Sequence, residues 1–184
     1  MYIGLEWRSM AEQQYEIIDN FLPSDAFKKL HDFLLPSDVK FEGTTIGWGY
    51  VPKVISKNKK GTEDWRLFYL AHLVYDHIPL SPLFNPIMTY CNELLDIKSL
   101  IRIKINLYPN TEIVKEHGMH TDYDFSHKAA ILYINTCDGY TKLEDGTKIE
   151  SVANRMLLFD GSKLHTPSTC TDQSVRMNIN FNYF

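Results

Sequence analysis

The stretch Glu116-His117-Gly118-Met119-His120-Thr121-Asp122 sets an imidazole and a carboxylate two residues apart, and His165 follows forty-three positions after Asp122. Where the backbone is extended, residues i and i+2 share a face, so His120 and Asp122 would stand side by side. The intervening chain is long enough for His165 to return on another strand of the same sheet. Two histidines and one carboxylate can hold one face of a transition metal and leave the opposite positions open for reactants. A His-x-Asp pair alone is a weak signal, more often a surface or capping pair than a metal site. His117 has the opposite parity to His120, and His127 follows in a loop. His31, His72 and His77 fall on expected helices. All five read as ordinary histidines.

Positioning these groups requires a sheet. In Leu100–Pro109 the residues Arg102, Lys104, Asn106 and Tyr108 share one parity, with Ile101, Ile103, Ile105 and Leu107 on the other. The last strand repeats the pattern: Arg176, Asn178, Asn180 and Asn182 alternate with Met177, Ile179, Phe181 and Tyr183. Long strands with one polar and one apolar face suit a sheet covered by helices on its apolar side. The polar side then meets water or lines a cavity. Further strands are expected at Thr111–Met119, Ala129–Asn135, Tyr140–Leu143, Thr147–Ser151, Met156–Phe159 and Leu164–Pro167, with turn signals at Asp145-Gly146 and Asp160-Gly161. Eight antiparallel strands after a helical half predict an α+β chain, mainly β, closing as a double-stranded β-helix or jelly-roll barrel.

The first half supplies the support. Tyr15–Leu22 reads as a strand ended by Pro23. Ser24 then N-caps a helix to about Leu35, with Phe27, Leu30, Phe33 and Leu34 at helical spacing. Phe41–Trp65 holds four glycines, Trp48, Tyr50 and the lysines Lys57, Lys59 and Lys60. It reads as a hairpin with a mobile tip; its lysines are a solvated loop or, on the sharper reading, part of a lid in which Trp48 and Tyr50 meet substrate. Helices are expected at Leu67–His77 and Pro82–Leu95. One domain accommodates the chain: residues 1–98 as support and lid, residues 99–184 as the barrel.

Composition excludes several classes. Net charge is −4, which gives no basis for general nucleic-acid binding. Cys91, Cys137 and Cys170 are odd in number and far apart in sequence, a pattern of a reducing, cytoplasmic setting rather than a disulfide or zinc framework. No stretch approaches the roughly 20 apolar residues of a membrane helix.

Taken together, Tyr108-Pro109, His120-Thr121-Asp122, Tyr133-Ile134-Asn135, His165 and Arg176 occur in an order that resembles the Fe(II)/2-oxoglutarate-dependent dioxygenases, the prolyl-4-hydroxylase-like group in particular. The resemblance spans residues 108 to 176 and departs from the pattern at Asn110, where glycine is common. It implies that His120, Asp122 and His165 hold Fe(II) and that Arg176 takes the distal carboxylate of 2-oxoglutarate as a planar, bidentate partner. Tyr133 would add a hydroxyl to that carboxylate, and Tyr108 would lie near the chelating end. It implies no catalytic residue beyond the metal ligands. The reaction would consume O2 and 2-oxoglutarate, release succinate and CO2, and hydroxylate a C–H bond of a prolyl-type peptide or a small molecule, with ascorbate as an accessory. Asp122 speaks against the halogenase variant, and Asn182 stands where the alkylation-repair demethylases carry a second arginine. Two other classes stay open: a cupin-like metal- or ligand-binding barrel without oxygenase activity, and a partner-binding jelly roll.

Overall fold

A computed structural model describes residues 15–37, 46–52 and 67–184. In chain order the elements are β1 (Tyr15–Ile18), α1 (Ser24–Leu34), β2 (Gly49–Val51), β3 (Tyr69–Asp76), β4 (Ile78–Pro79), α2 (Phe84–Leu94), β5 (Leu100–Pro109), β6 (Lys128–Tyr133), β7 (Tyr140–Leu143), β8 (Lys148–Glu150), β9 (Met156–Asp160), β10 (His165–Pro167) and β11 (Val175–Tyr183). The large sheet runs β1-β9-β6-β11-β5-β3-β2, with β4 on β3, and the small sheet runs β10-β7-β8. Every pairing is antiparallel. This is the jelly-roll arrangement of a mainly β chain, with two supporting helices among the described residues.

The register of β5 against β11 explains both faces. Arg176 lies opposite Tyr108, Asn178 opposite Asn106, Asn180 opposite Lys104 and Asn182 opposite Arg102. These are four successive polar rungs. Between them Met177 faces Leu107, Ile179 faces Ile105 and Phe181 faces Ile103. The apolar rungs are buried with Val74, Leu132 and Leu158 of neighbouring strands and with Leu34, Ile87 and Cys91 of the helices. Each such fully buried side chain contributes about 1.5–3 kcal/mol. The polar rungs point between the sheets, where a smaller apolar cluster of Ile131, Tyr133, Leu157, Phe159, Leu143 and Ile149 closes part of the layer. β6 therefore buries both of its faces and reads as a continuous apolar run. The Asp145-Gly146 turn joins β7 to β8 with Gly146 at φ 90.

Several elements differ from the sequence reading. Leu67–His77 is not a helix: Tyr69–Asp76 is strand β3. Its register against β5 shifts between Leu73 and Tyr75, and an irregularity of that kind moves side chains from one face to the other. Apolar residues thus fall on both faces and imitate helical spacing. His72 lies on this strand and bonds Gly47 O and Ser81 Oγ, while His77 sits in the β3–β4 turn at φ 59. Thr111–Met119 forms no strand beyond a single bridge from Glu116 to Ser168. β1 stops at Ile18 because Phe21 and Leu22 turn to Asn154, whose backbone and side chain accept from their N–H groups. Ser24 is the first helical residue rather than the cap, and no side chain caps α1. Of the expected Phe41–Trp65 hairpin, Ile46–Pro52 is described; the lysine cluster lies outside the described residues.

Candidate metal centre

His120 and His165 face each other across a single antiparallel bridge and exchange two backbone hydrogen bonds, each 2.9 Å. Their rings stand 4.5 Å apart. The Nδ1 atoms lie 3.2 Å from Gly118 O and 3.1 Å from Lys163 O. A carbonyl can only accept, so Nδ1 carries a proton in both rings, which leaves Nε2 as the atom able to ligate. Asp122 follows on the same side, its N–H donating to Gly161 O at 3.3 Å. One donor atom from each of His120, Asp122 and His165 lies within 4.8 Å of the others. That is the span and chemistry of a site able to hold a divalent transition metal.

The polar rungs hold Asp122 in place. Arg102 Nη2 donates to Oδ1 at 2.9 Å, while Asn182 Nδ2 and Asn180 Nδ2 donate to Oδ2 at 2.8 and 3.2 Å. Burial pushes the Asp122 carboxyl up, but His165, Arg102, Asn182 and Lys104 outweigh it and hold it below the usual carboxylate range. Burial first, and then His165, pull His120 down to about 4, against the opposing pull of Asp122. The imidazole is therefore neutral, as a metal ligand must be. Asn182, where a nucleic-acid demethylase would carry arginine, is here one of the donors to Asp122.

The other end of the ladder is built around Arg176, which is 0% exposed. Its guanidinium lies between the rings of Tyr108 and Tyr133, 5.4 and 5.5 Å from their centroids. It donates to Ser168 O and Thr141 Oγ1, and Nε has no partner among the described residues. Tyr133 also donates to Thr141 Oγ1, at 2.9 Å. Gly139 leaves the room this requires: a Cβ there would sit 2.6 Å from Arg176 Cδ and 2.6 Å from Thr169 O. No carboxylate of the described residues lies within 4 Å of Arg176. Burial raises the Tyr108 and Tyr133 hydroxyls above their ordinary value, so both stay protonated donors.

A cavity open to solvent is lined by His120, Asp122, His165, Tyr108, Thr141, Tyr69, Lys104 and the inward asparagines Asn106, Asn178 and Asn180; Arg176 and Tyr133 do not line it but reach its wall through their bonds to Thr141. Trp48 and Tyr50 do not line it. Trp48 packs against His72, and Tyr50 is 64% exposed beside Phe68. His117 is buried against Tyr69 and Tyr108, apart from the triad, and neither ring nitrogen has a partner among the described residues. Asn110 ties down the 171–174 loop through Thr171 O, Gln173 O and Ser174 O.

Sequence reasoning missed Thr141, Gly139, Arg102 and Tyr69. The first two sit in segments without periodicity. Arg102 was visible on the polar parity, but nothing in sequence pairs it with Asp122. Cys137 and Cys170, distant in sequence, come together with Asp172, one donor atom of each lying within 4.8 Å of the others.

No protein-family model and no curated protein matches the chain. Solved structures do. A prolyl hydroxylase of Trichoplax adhaerens, in complex with a peptide of the hypoxia-inducible factor oxygen degradation domain, superposes with TM-score 0.64 at 17% identity, covering 95% of this chain and 85% of that one. An oxidoreductase of the 2OG-Fe(II) oxygenase family from Burkholderia pseudomallei gives 0.64 at 9% identity, with 95% and 86% covered. A Pseudomonas putida prolyl-4-hydroxylase gives 0.58 at 16% identity, with 95% and 94% covered. At these identities the likeness is one of fold: the chain is built as the 2-oxoglutarate/Fe(II) oxygenases are, the prolyl hydroxylases among them.

Proposed function

We propose that this protein is a non-haem Fe(II)- and 2-oxoglutarate-dependent dioxygenase that hydroxylates a C–H bond and releases succinate and CO2. The observation that carries the reading is a buried arginine, Arg176, with no carboxylate of the described residues within 4 Å, bonded to Thr141 in the wall of the cavity that holds the His120-Asp122-His165 triad. A buried cation without a counter-anion is costly, and a dicarboxylate that also reaches the metal removes that cost. A metal-binding barrel without a 2-oxo acid would leave Arg176 unanswered.

Iron bound at the triad would supply oxygen activation coupled to decarboxylation of the 2-oxo acid. The chain's own residues do the rest. His120 and His165 offer Nε2, fixed by the carbonyls behind Nδ1. Asp122 supplies the anionic ligand, its orientation set by Arg102, Asn180 and Asn182. Arg176 and Tyr133 bind the distal carboxylate through charge-assisted bonds, with Thr141 sharing both donors. Tyr108, expected near the chelating end, packs instead on the Arg176 guanidinium and lines the cavity between Arg176 and the triad; Phe159, 4.8 Å from the His165 ring, excludes water behind it. The C–H donor is a prolyl-type peptide residue or a small molecule. The peptide complex of the Trichoplax fold relative supports the first, and the polar lining of the cavity suits the second. Nucleic acid is disfavoured by net charge −4.

The test is thermal unfolding with Zn(II) as a redox-silent metal and increasing 2-oxoglutarate, followed by succinate formation with Fe(II). We expect 2-oxoglutarate to raise Tm only when metal is present. No shift at any concentration overturns the reading.

A further inference from the structure

Lys104 has no role in the scheme above. It occupies the polar rung opposite Asn180, beside the triad, and lines the cavity. No carboxylate of the described residues lies within 4 Å of its Nζ. Asp122, the one acidic lining residue, is already held through Oδ1 by Arg102 and through Oδ2 by Asn180 and Asn182. What Lys104 has instead is the face of Tyr69, 5.5 Å from Nζ to the ring centroid, a contact worth far less than an ion pair in a dry site. Burial, and then repulsion from Arg102, draw its pKa down to about 8 against the pull of Asp122.

Charge balance leads the same way. Fe(II) and the two carboxylates of 2-oxoglutarate cancel formally. Asp122 is offset by Arg102. Arg176 then leaves one positive charge, and Lys104 adds another. A reactant pocket with this surplus favours an anion over a neutral peptide bond. The distal carboxylate of 2-oxoglutarate belongs to Arg176, two polar rungs away along β5, at a rise of about 3.3 Å per residue. The anion at Lys104 must therefore come from the other reactant.

We propose that Lys104 binds a carboxylate of the substrate and so makes this a hydroxylase of a small free carboxylic acid, the free amino acids being the simplest class, rather than of an internal peptide residue. This rests on the oxygenase reading and sharpens it: Lys104 holds the carboxylate, and the C–H bond a few atoms away is turned toward the triad. Tyr69 forms the wall that keeps the ammonium in place. An internal prolyl residue of a peptide has no carboxylate at that distance and leaves Lys104 unpaired.

The experiment uses the full chain loaded with Zn(II) and 2-oxoglutarate. Binding of the twenty free L-amino acids, of their carboxamides and of a capped proline-rich peptide is measured by ligand-observed NMR and calorimetry, in the wild type and in Lys104→Met. The expected result is that at least one free acid binds, that its carboxamide binds at least tenfold more weakly, and that Lys104→Met lowers affinity for the acid at least tenfold while 2-oxoglutarate affinity is kept. That retained affinity also shows that the variant is folded. The proposal is overturned if no free acid binds, if carboxamides or the capped peptide bind as tightly as the acids, or if Lys104→Met loses 2-oxoglutarate instead, which would assign the lysine to the co-substrate. Failure of the oxygenase reading is separate: there the wild type takes up neither Zn(II) nor 2-oxoglutarate.

Discussion

Arg102 and Arg176 stand on the same polar face, three rungs apart, and their surroundings differ in one respect. Arg102 has a carboxylate from its own chain, Asp122, at 2.9 Å. Arg176 is more deeply buried and has a carbonyl, a hydroxyl and two aromatic faces, but no carboxylate among the described residues. A cation closed by its own chain's anion is framework. A cation given only neutral acceptors is, on the reading proposed above, a receptor for an anion from outside. Lys104, between them, falls with Arg176.

The largest effect should come from destroying the closed pair. Asp122→Ala removes a metal ligand and strands Arg102; turnover should vanish, metal affinity should fall more than about 100-fold, and the fold should lose about 3 kcal/mol. Metal content after dialysis and urea unfolding check this, and retention of stoichiometric metal would break the assignment. At the open end, Arg176→Ala should cost about 2–5 kcal/mol of 2-oxoglutarate binding, read as a rise in the half-saturating concentration for decarboxylation, with metal affinity kept. An unchanged value would put Arg176 with the framework cations. Arg102→Met should give the converse pattern: metal affinity down about 10- to 100-fold and 2-oxoglutarate affinity conserved in metal-saturated protein.

The effect at His117 falls on stability and its pH dependence, not on metal or 2-oxoglutarate binding. Burial, and then Arg176, depress it to about 4, so the unfolded chain takes up its proton first as pH falls. Stability that is present above the unfolded value near 6.5 should decline as pH drops toward 4. His117→Phe should remove part of that decline, up to about 3 kcal/mol between pH 7 and pH 4. Parallel urea melts at the two pH values measure it, and identical slopes in both proteins would show that His117 is not the titrating group.

The contrast between the ends also governs what could be read from sequence. The ladder was legible because β5 and β11 alternate strictly over their length, so parity placed Arg102, Lys104, Tyr108 and Arg176 on one face. His120, Asp122 and His165 were legible by spacing, though His120 sits in an isolated bridge rather than a long strand. β3 was not, because its register shift erases the period of two and leaves Leu70, Leu73 and Val74 at helical spacing. Thr141 and Gly139 were invisible for another reason: one works by sharing a hydroxyl, the other by what it lacks, and neither leaves a pattern in the chain. Arg102 could be placed on its face but not paired, since a contact twenty residues apart depends on how the loop after β5 returns.

The paired backbones of His120 and His165 carry a consequence for the life of the protein without metal. Each residue gives and receives a main-chain bond, so the two imidazoles are held side by side by the peptide framework and not by the ion. In a zinc finger the ion supplies the folding energy, and its removal unfolds the domain. Here chelation should empty the centre and leave the barrel standing, and loading should resemble filling a rigid socket. Such a centre can lose its iron to a chelator or to oxidation and be recharged without refolding, so the share of active molecules would follow the supply of Fe(II) around them.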